Sequence, residues 1–321
     1  MPEPLAADLV AAADWSVAAR KRWLAVAVRG RDGRWRAGGA RPVGRAETLV
    51  ARLSRRAGTR RAALVGLDFP VGVPAAYAER AGIAAFLPWA RGLGAPPYHA
   101  FFSPAATASE ITLHRPFYPV RARRPGQHRQ AELCAALAVP GIDALRRACE
   151  RARPGRRAAE ALFWTVGAKQ AGKAALAGWR DVVLPALREG QAVIWPFHGE
   201  LLTLLRPGAV VLSEIYPADA YGRLGVARVS KRDPRSRREA CAALRRWLAR
   251  AGVVPSRRLL GQLASGFGPS AAGEDPFDAV AALLGMLDVV LGRTELHEPV
   301  DPMARSVEGW ILGLEARDPR G

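Results

Sequence analysis

Four short apolar segments of this chain each carry a carboxylate where a charge is expensive to bury. Asp14 lies in VAAADWSV, Asp68 closes LVGLD, Glu214 sits in VVLSEIYP and Asp278 in EDPFDAVAALL. A buried carboxylate neutralises, pairs with a base or coordinates a cation. No basic residue lies inside the three strand-like segments to serve as a local partner. A shared divalent ion would neutralise all four at once. Any fold that allows this has to gather positions far apart in the chain, as carboxylates on adjacent strands of one sheet and on a helix packed against it would be.

The remaining pattern agrees with such a sheet. Residues 22–29 (RWLAVAVR) and 33–37 (GRWRA) are short apolar runs separated by Gly30, Asp32 and Gly33, and with the segment around Asp14 they read as a meander of strands. Their tight connections predict antiparallel pairing. Leu49, Val50 and Leu53 have the spacing of an amphipathic helix within residues 45–56. Residues 62–68 (AALVGLD) form a continuous apolar run, as in a strand covered on both faces, and Phe69-Pro70 and Gly72-Val73-Pro74 stop it. Helices are predicted over 133–151, interrupted at Pro140-Gly141, and over 171–187, 235–251 and 276–291. Strands are predicted over 191–197 and 209–216. The expected class is α/β, with helices covering the sheet. The expected organisation is one domain over residues 1–321, with a long, mostly helical insertion at about 75–190 and no internal repeat.

A chain of 321 residues can bury roughly 75% of its unfolded surface. No apolar run reaches the ~20 residues of a membrane helix, and MPEPLAADLV lacks the basic start of a signal peptide. A cytoplasmic location without membrane association is the expectation. Cys134, Cys149 and Cys241 are too few and too scattered for a disulfide framework or a zinc site. The histidines show no ligand spacing either. The net charge of +19 points to a polyanionic partner, DNA or RNA. All but four of the 48 basic residues are arginine, however, which is equally the mark of a coding bias.

Magnesium or manganese suits a carboxylate set, because these hard cations prefer oxygen ligands and keep waters for chemistry. Other readings stand beside this one. Asp68 before Phe69-Pro70 suits a turn. Glu214 could pair with an arginine from elsewhere. Asp275 before Pro276 suits a helix N-cap, with Asp278 as the third helical residue. Asp275 and Asp278 also share a helix face, so capping and metal binding are compatible. Residues 167–174 (GAKQAGKA) nearly match a phosphate loop, but Ala174 stands where the magnesium-binding hydroxyl belongs. Lys169 and Lys173 are better expected to contact phosphate near the acids. The stretch from Tyr98 to Arg124 mixes aromatic and basic residues. Its Arg121, Arg123 and Arg124 suit a nucleic-acid backbone, while its rings suit base stacking or a satellite core equally.

The segments ADWSVAARKRWLAVAV, GLDFPVGVP, VLSEIYPADAYG and EDPFDAVAALLGML resemble those of domain-of-unknown-function family 429, regarded as predicted nucleases of the ribonuclease H-like fold. WTVGAKQAGKAALAGW and EGWILGL are similar to segments of its longer members, so the resemblance spans nearly the whole chain. It implies a mixed five-stranded sheet of order 3-2-1-4-5 with the second strand antiparallel. It also implies that Asp14, Asp68 and Glu214 are the acids of the first, fourth and fifth strands. Asp278, with Asp275, would be the acid opening the final helix. The implied activity is two-metal hydrolysis of phosphodiesters, with Asp14, Asp68, Glu214 and Asp278 catalytic and Asp275 an added metal ligand. Two alternatives are a phosphotransferase of the related actin-like group and a silent nucleic-acid-binding module.

Overall fold

The computed structural model describes residues 2–121, 128–166 and 171–314. Its centre is a mixed eight-stranded sheet: β1 (Leu9–Asp14), β2 (Trp23–Arg29), β3 (Trp35–Ala37), β4 (Arg41–Pro42), β5 (Ala63–Leu67), β6 (Val193–Ile194), β7 (Val210–Glu214) and β8 (Val254–Pro255). The strands lie in the order β6-β7-β5-β1-β2-β3-β8, with β4 paired on β2. The expected meander forms, with β2 antiparallel to both β1 and β3. β1, β5, β7 and β6 are parallel neighbours in turn. All residues of β1, β5 and β7 are buried, which is why these strands read as unbroken apolar runs.

The helices are α1 (Leu49–Ala57), α2 (Ala75–Ala81), α3 (Phe86–Arg91), α4 (Gln130–Ala136), α5 (Ala171–Gly178), α6 (Leu184–Arg188), α7 (Leu201–Leu204), α8 (Pro217–Tyr221), α9 (Pro234–Arg250), α10 (Arg257–Ser265) and α11 (Glu274–Val290). Leu49, Val50 and Leu53 bury one face of α1, as their spacing requires. A turn of π-helix, Trp179–Val183, joins α5 to α6, so the helix expected over 171–187 is continuous but locally widened.

Two hydrophobic cores lie on opposite faces of the sheet. Leu9, Ala11, Ala13, Val65, Leu67, Val210 and Leu212 face the first, with α1 and the long β5–β6 connection. Val10, Ala12, Leu64, Val211 and Ile215 face the second, with α9 and α11. Every residue of α11 from Pro276 to Val290 is buried, so the helix is enclosed on all sides. Its approach to the sheet depends on Gly66. A Cβ there would lie 2.5 Å from Met286 Sδ and 2.6 Å from Ile215 Cγ2.

Three expectations need correction. The β5–β6 connection is not mostly helical, because its described part is largely irregular around the short helices α2 to α6. Aromatic packing holds it together instead. Phe101 stacks on Trp179 and meets Trp89 and Phe117 edge-on, and Phe117 meets Phe163. Phe101, Phe117 and Tyr118 are therefore core residues. The helix expected from residue 133 stops at Ala136, and only short 3-10 turns follow it to residue 150. Asp275 is not an N-cap. A 3-10 turn at Ala271–Gly273, capped by Ser270, feeds straight into α11, which starts at Glu274 and leaves Asp275 in its first turn.

Candidate active site

The site forms where β1 and β5 end side by side. Asp14 is the last residue of β1, and Asp68 follows β5 with its N–H donating to Ala13 O at 3.0 Å. Ala13 pairs with Leu67, so Asp14 and Asp68 stand level and share the face of Ala12 and Gly66. That is the face α11 covers, and its second turn brings Asp278 to them. Asp14 and Asp278 are buried, and Asp68 is half-buried.

The electrostatics show how crowded this corner is. Burial raises the Asp14 carboxyl well above its ordinary range, and Asp68, Asp278 and Asp275 add to the effect. Asp68 is pushed up to about 7, by burial first and Asp278 next, while a hydrogen bond with Asp14 works in the opposite sense. Burial and the neighbouring carboxylates thus favour the protonated form of both groups, which titrate as a coupled pair. Asp275 is half-buried and raised by burial and by its neighbours Glu274 and Asp278.

Asp278 is better satisfied. Tyr221, at the end of α8, donates to its Oδ1, and Lys231 Nζ contacts its Oδ2. Lys231 also lies 3.7 Å from Glu274 Oε1. Burial works against the ammonium, but Asp278 holds it above its ordinary range. Neither Tyr221 nor Lys231 was singled out in the sequence. The usable signal for Lys231 was its rarity as a lysine among arginines.

Glu214 does not join the aspartates. Leu67 pairs with Glu214, so Glu214 stands one residue short of the level of Asp68 and points to the opposite face. There it forms a bidentate ion pair with Arg147, at 2.6 and 2.7 Å, and accepts from Val71 N at 2.8 Å. Arg147 also binds Glu150 at 2.8 Å and the carbonyl of Glu308 at 2.9 Å. The Glu308 carboxylate accepts from Ala75 N and Ala148 N. Arg147, Glu150, Glu214 and Glu308 are all buried. This network ties β7, the loop after β5, the long connection and residues 308–309 together behind the aspartates. Burial raises the Glu214 carboxyl, and Arg147 opposes the rise. Of the readings open for Glu214, pairing with an arginine from elsewhere is the one that holds, and one cation shared by all four acids is not needed for Glu214 or Asp278.

Among the described residues, no group of three or more His, Cys, Asp or Glu stands ready to hold a metal ion. The donor chemistry at Asp14 and Asp68 still suits a hard divalent cation. Two carboxyl groups in contact, forced to keep a proton, would release it to such an ion.

The surroundings fix this corner. Arg22 stacks over Trp15 at 4.5 Å, donates to Ser16 O at 2.6 Å and pairs with Asp181 at 2.9 Å, linking the end of β1 to the π-turn. Trp179 Nε1 donates to Pro70 O at 2.7 Å, just beyond Asp68. Lys173, on α5, is half-buried, and burial lowers its ammonium. Arg121 is exposed, while Lys169, Arg123 and Arg124 lie outside the described residues. His198 Nδ1 accepts from Ile194 N, and the three cysteines are buried and free. A depression of about 500 Å³ lies away from the aspartates, at the β2–β3 turn, lined by Arg29, Arg31, Arg36 and Arg61. Among the described residues, no helix is long and apolar enough to cross a membrane.

The model of a family described as a protein of unknown function, DUF429, matches residues 13–302. No curated protein and no solved structure matches the chain.

Proposed function

Since this chain belongs to the DUF429 family, we propose that it is a metal-dependent nuclease, hydrolysing phosphodiester bonds of nucleic acid on a ribonuclease H-like core. The observation that carries the reading is the convergence of Asp14, Asp68 and Asp278 from two adjacent strands and one helix, with all three carboxyls raised by burial, and those of Asp14 and Asp68 raised further by Asp278. Such a corner costs stability and is hard to explain as scaffolding. The run β3-β2-β1-β5-β7 with β2 antiparallel supports the fold reading. So does an acid at the end of each of the two central strands.

Asp14 and Asp68 would hold magnesium or manganese, with Asp278 completing the set and Asp275 at its edge. Bound there, divalent ions supply an activated water and a counter-charge for the leaving oxygen. Everything else falls to the chain. Asp14 and Asp68 would bind the ion in their deprotonated form, so ion binding would be coupled to proton release. The Arg147 network keeps the β7 end and the loop after Asp68 in place. Lys173 and the arginines outside the acidic corner attract the phosphate backbone. Glu214 acts through position, as the anchor of that network.

The phosphotransferase alternative finds no support in the loop after β5. Gly72 has a φ of +128°, and a Cβ there would lie 2.1 Å from the Glu308 carbonyl oxygen, so this glycine serves close packing.

The test is incubation of the protein and an Asp14→Asn variant with single-stranded, duplex and branched DNA and RNA, with and without magnesium or manganese. Metal-dependent cleavage lost in the variant is expected. Tight binding without cleavage makes the chain a silent module, and nucleoside triphosphate turnover alone makes it a phosphotransferase. A cytoplasmic location belongs to the same reading.

A further inference from the structure

We propose that Lys231 is a resident cation of the aspartate corner, exchanging with a divalent ion: it neutralises Asp278 in the metal-free protein and leaves that carboxylate when metal binds. The proposal rests on the metal-site reading above and adds to it how Asp278 becomes available.

Both oxygens of Asp278 accept a hydrogen bond, Oδ1 from Tyr221 and Oδ2 from Lys231, and each keeps a second lone pair. A metal on that carboxylate can share it with the neutral Tyr221 hydroxyl, but it repels the Lys231 ammonium. Tyr221 is part of a helix packed on α11 and is half-buried. Lys231 sits in a turn between α8 and α9, and its side chain is 35% exposed. The backbone of Lys231 is held at its carbonyl, which accepts from the buried Arg237 at 2.5 Å. A four-carbon stem can therefore swing from a fixed base into solvent without disturbing the core.

The residue type points the same way. Other carboxylates of this protein are paired with arginine: Arg147 forks onto Glu214, and Arg156 and Arg22 each make one contact, with Asp219 and Asp181. Asp278 instead has one of only four lysines in the chain. An ammonium is a compact, strongly hydrated point charge, bound through one contact, and so resembles the ion that would replace it. The charges favour exchange as well. Three carboxyls face one ammonium, and a divalent ion at Asp14 and Asp68 would repel Lys231 across a short distance. The displaced ammonium stays at the rim, where an incoming phosphate would meet it.

The four lysines make the experiment clean. The full-length protein is labelled with limiting acetic anhydride, with chelator or with saturating manganese, and acetylation of each lysine is read by peptide mass spectrometry. Manganese affinity is measured by calorimetry on the protein and on Lys231→Met. The expected result is several-fold greater acetylation of Lys231 with manganese, relative to Lys173, and about tenfold tighter manganese binding by Lys231→Met. Manganese binding with unchanged or reduced labelling of Lys231 overturns the exchange and leaves the metal site standing. Unchanged affinity in a folded Lys231→Met does the same. Absence of manganese binding by both proteins overturns the exchange and the metal reading together.

Discussion

Replacing Asp68 by Asn is expected to make the metal-free protein more stable, and only above mid-acid pH. The folded protein lifts this carboxyl from an ordinary 3.8 to about 7, so it holds the proton more tightly than the unfolded chain does. The folded state then binds more protons between about pH 4 and pH 7, and stability falls as pH rises through that window. The loss is absent below the unfolded value and complete above the folded one. At about 1.4 kcal/mol per pH unit, the interval corresponds to about 4 kcal/mol at pH 8. Asp14 and Asp68 titrate as a coupled pair, so relieving one member recovers a part of that sum, about 2 kcal/mol. An asparagine has nearly the same shape and keeps an oxygen for the contact with Asp14. The assay is urea unfolding of both proteins in chelator at pH 4.5 and pH 8, with the slopes checked for equality. A higher midpoint for Asp68→Asn at pH 8, converging towards acid pH, is expected. Manganese should reverse the order by stabilising the parent protein and not the variant. An equal or lower midpoint for Asp68→Asn at pH 8 in chelator would refute the idea that these carboxyls repel one another in the fold.

The other predictions concern the bases. Arg147→Met should lose about 3–5 kcal/mol, because Glu214 and Glu150 remain buried without their counter-charge. Adding Glu214→Gln should restore a measurable part of it, and a denaturation cycle over the four proteins checks this. Arg29, Arg31 and Arg61 line the depression beside the β2–β3 turn, where Asp32 is already committed to Arg36. Their joint replacement by Ser should weaken duplex binding and flatten its salt dependence by about 0.9 for each phosphate no longer neutralised. Fluorescence anisotropy across a salt series reads both, and an unchanged slope removes this surface from the binding path.

The two alternations the site depends on differ in how far they can be read from the chain. Asp14 and Asp68 close apolar runs, and a carboxylate at the end of a fully buried strand is conspicuous because its desolvation demands a partner. Asp278 is conspicuous for the same reason within α11. The antiparallel start, the amphipathic face of α1 and the long helices α9 and α11 follow from turn residues and apolar spacing, which act locally. The β5–β6 connection reads as mostly helical because of the apolar spacing over 133–151 and 171–187, while the rings of the stretch between them and β5, such as Phe101 and Phe117, show no period and pack on partners far along the chain.

Those three aspartates, which make the sequence unusual, are thus identifiable from local chemistry alone, as a cost that folding has to meet. Glu214 looks the same by that measure and is placed elsewhere by a single step of register. Leu67, not Asp68, is its level partner on β5, and Ile215 takes the position beside Asp68. With a side-chain period of two, that step sends the carboxylate through the sheet to Arg147. Register between strands separated by some 140 residues is a property of the packed sheet, as are the approach of Lys231 to Asp278 and of Arg147 to Glu214. Charge in an apolar segment shows that a partner must exist. Only the assembled fold decides which one arrives.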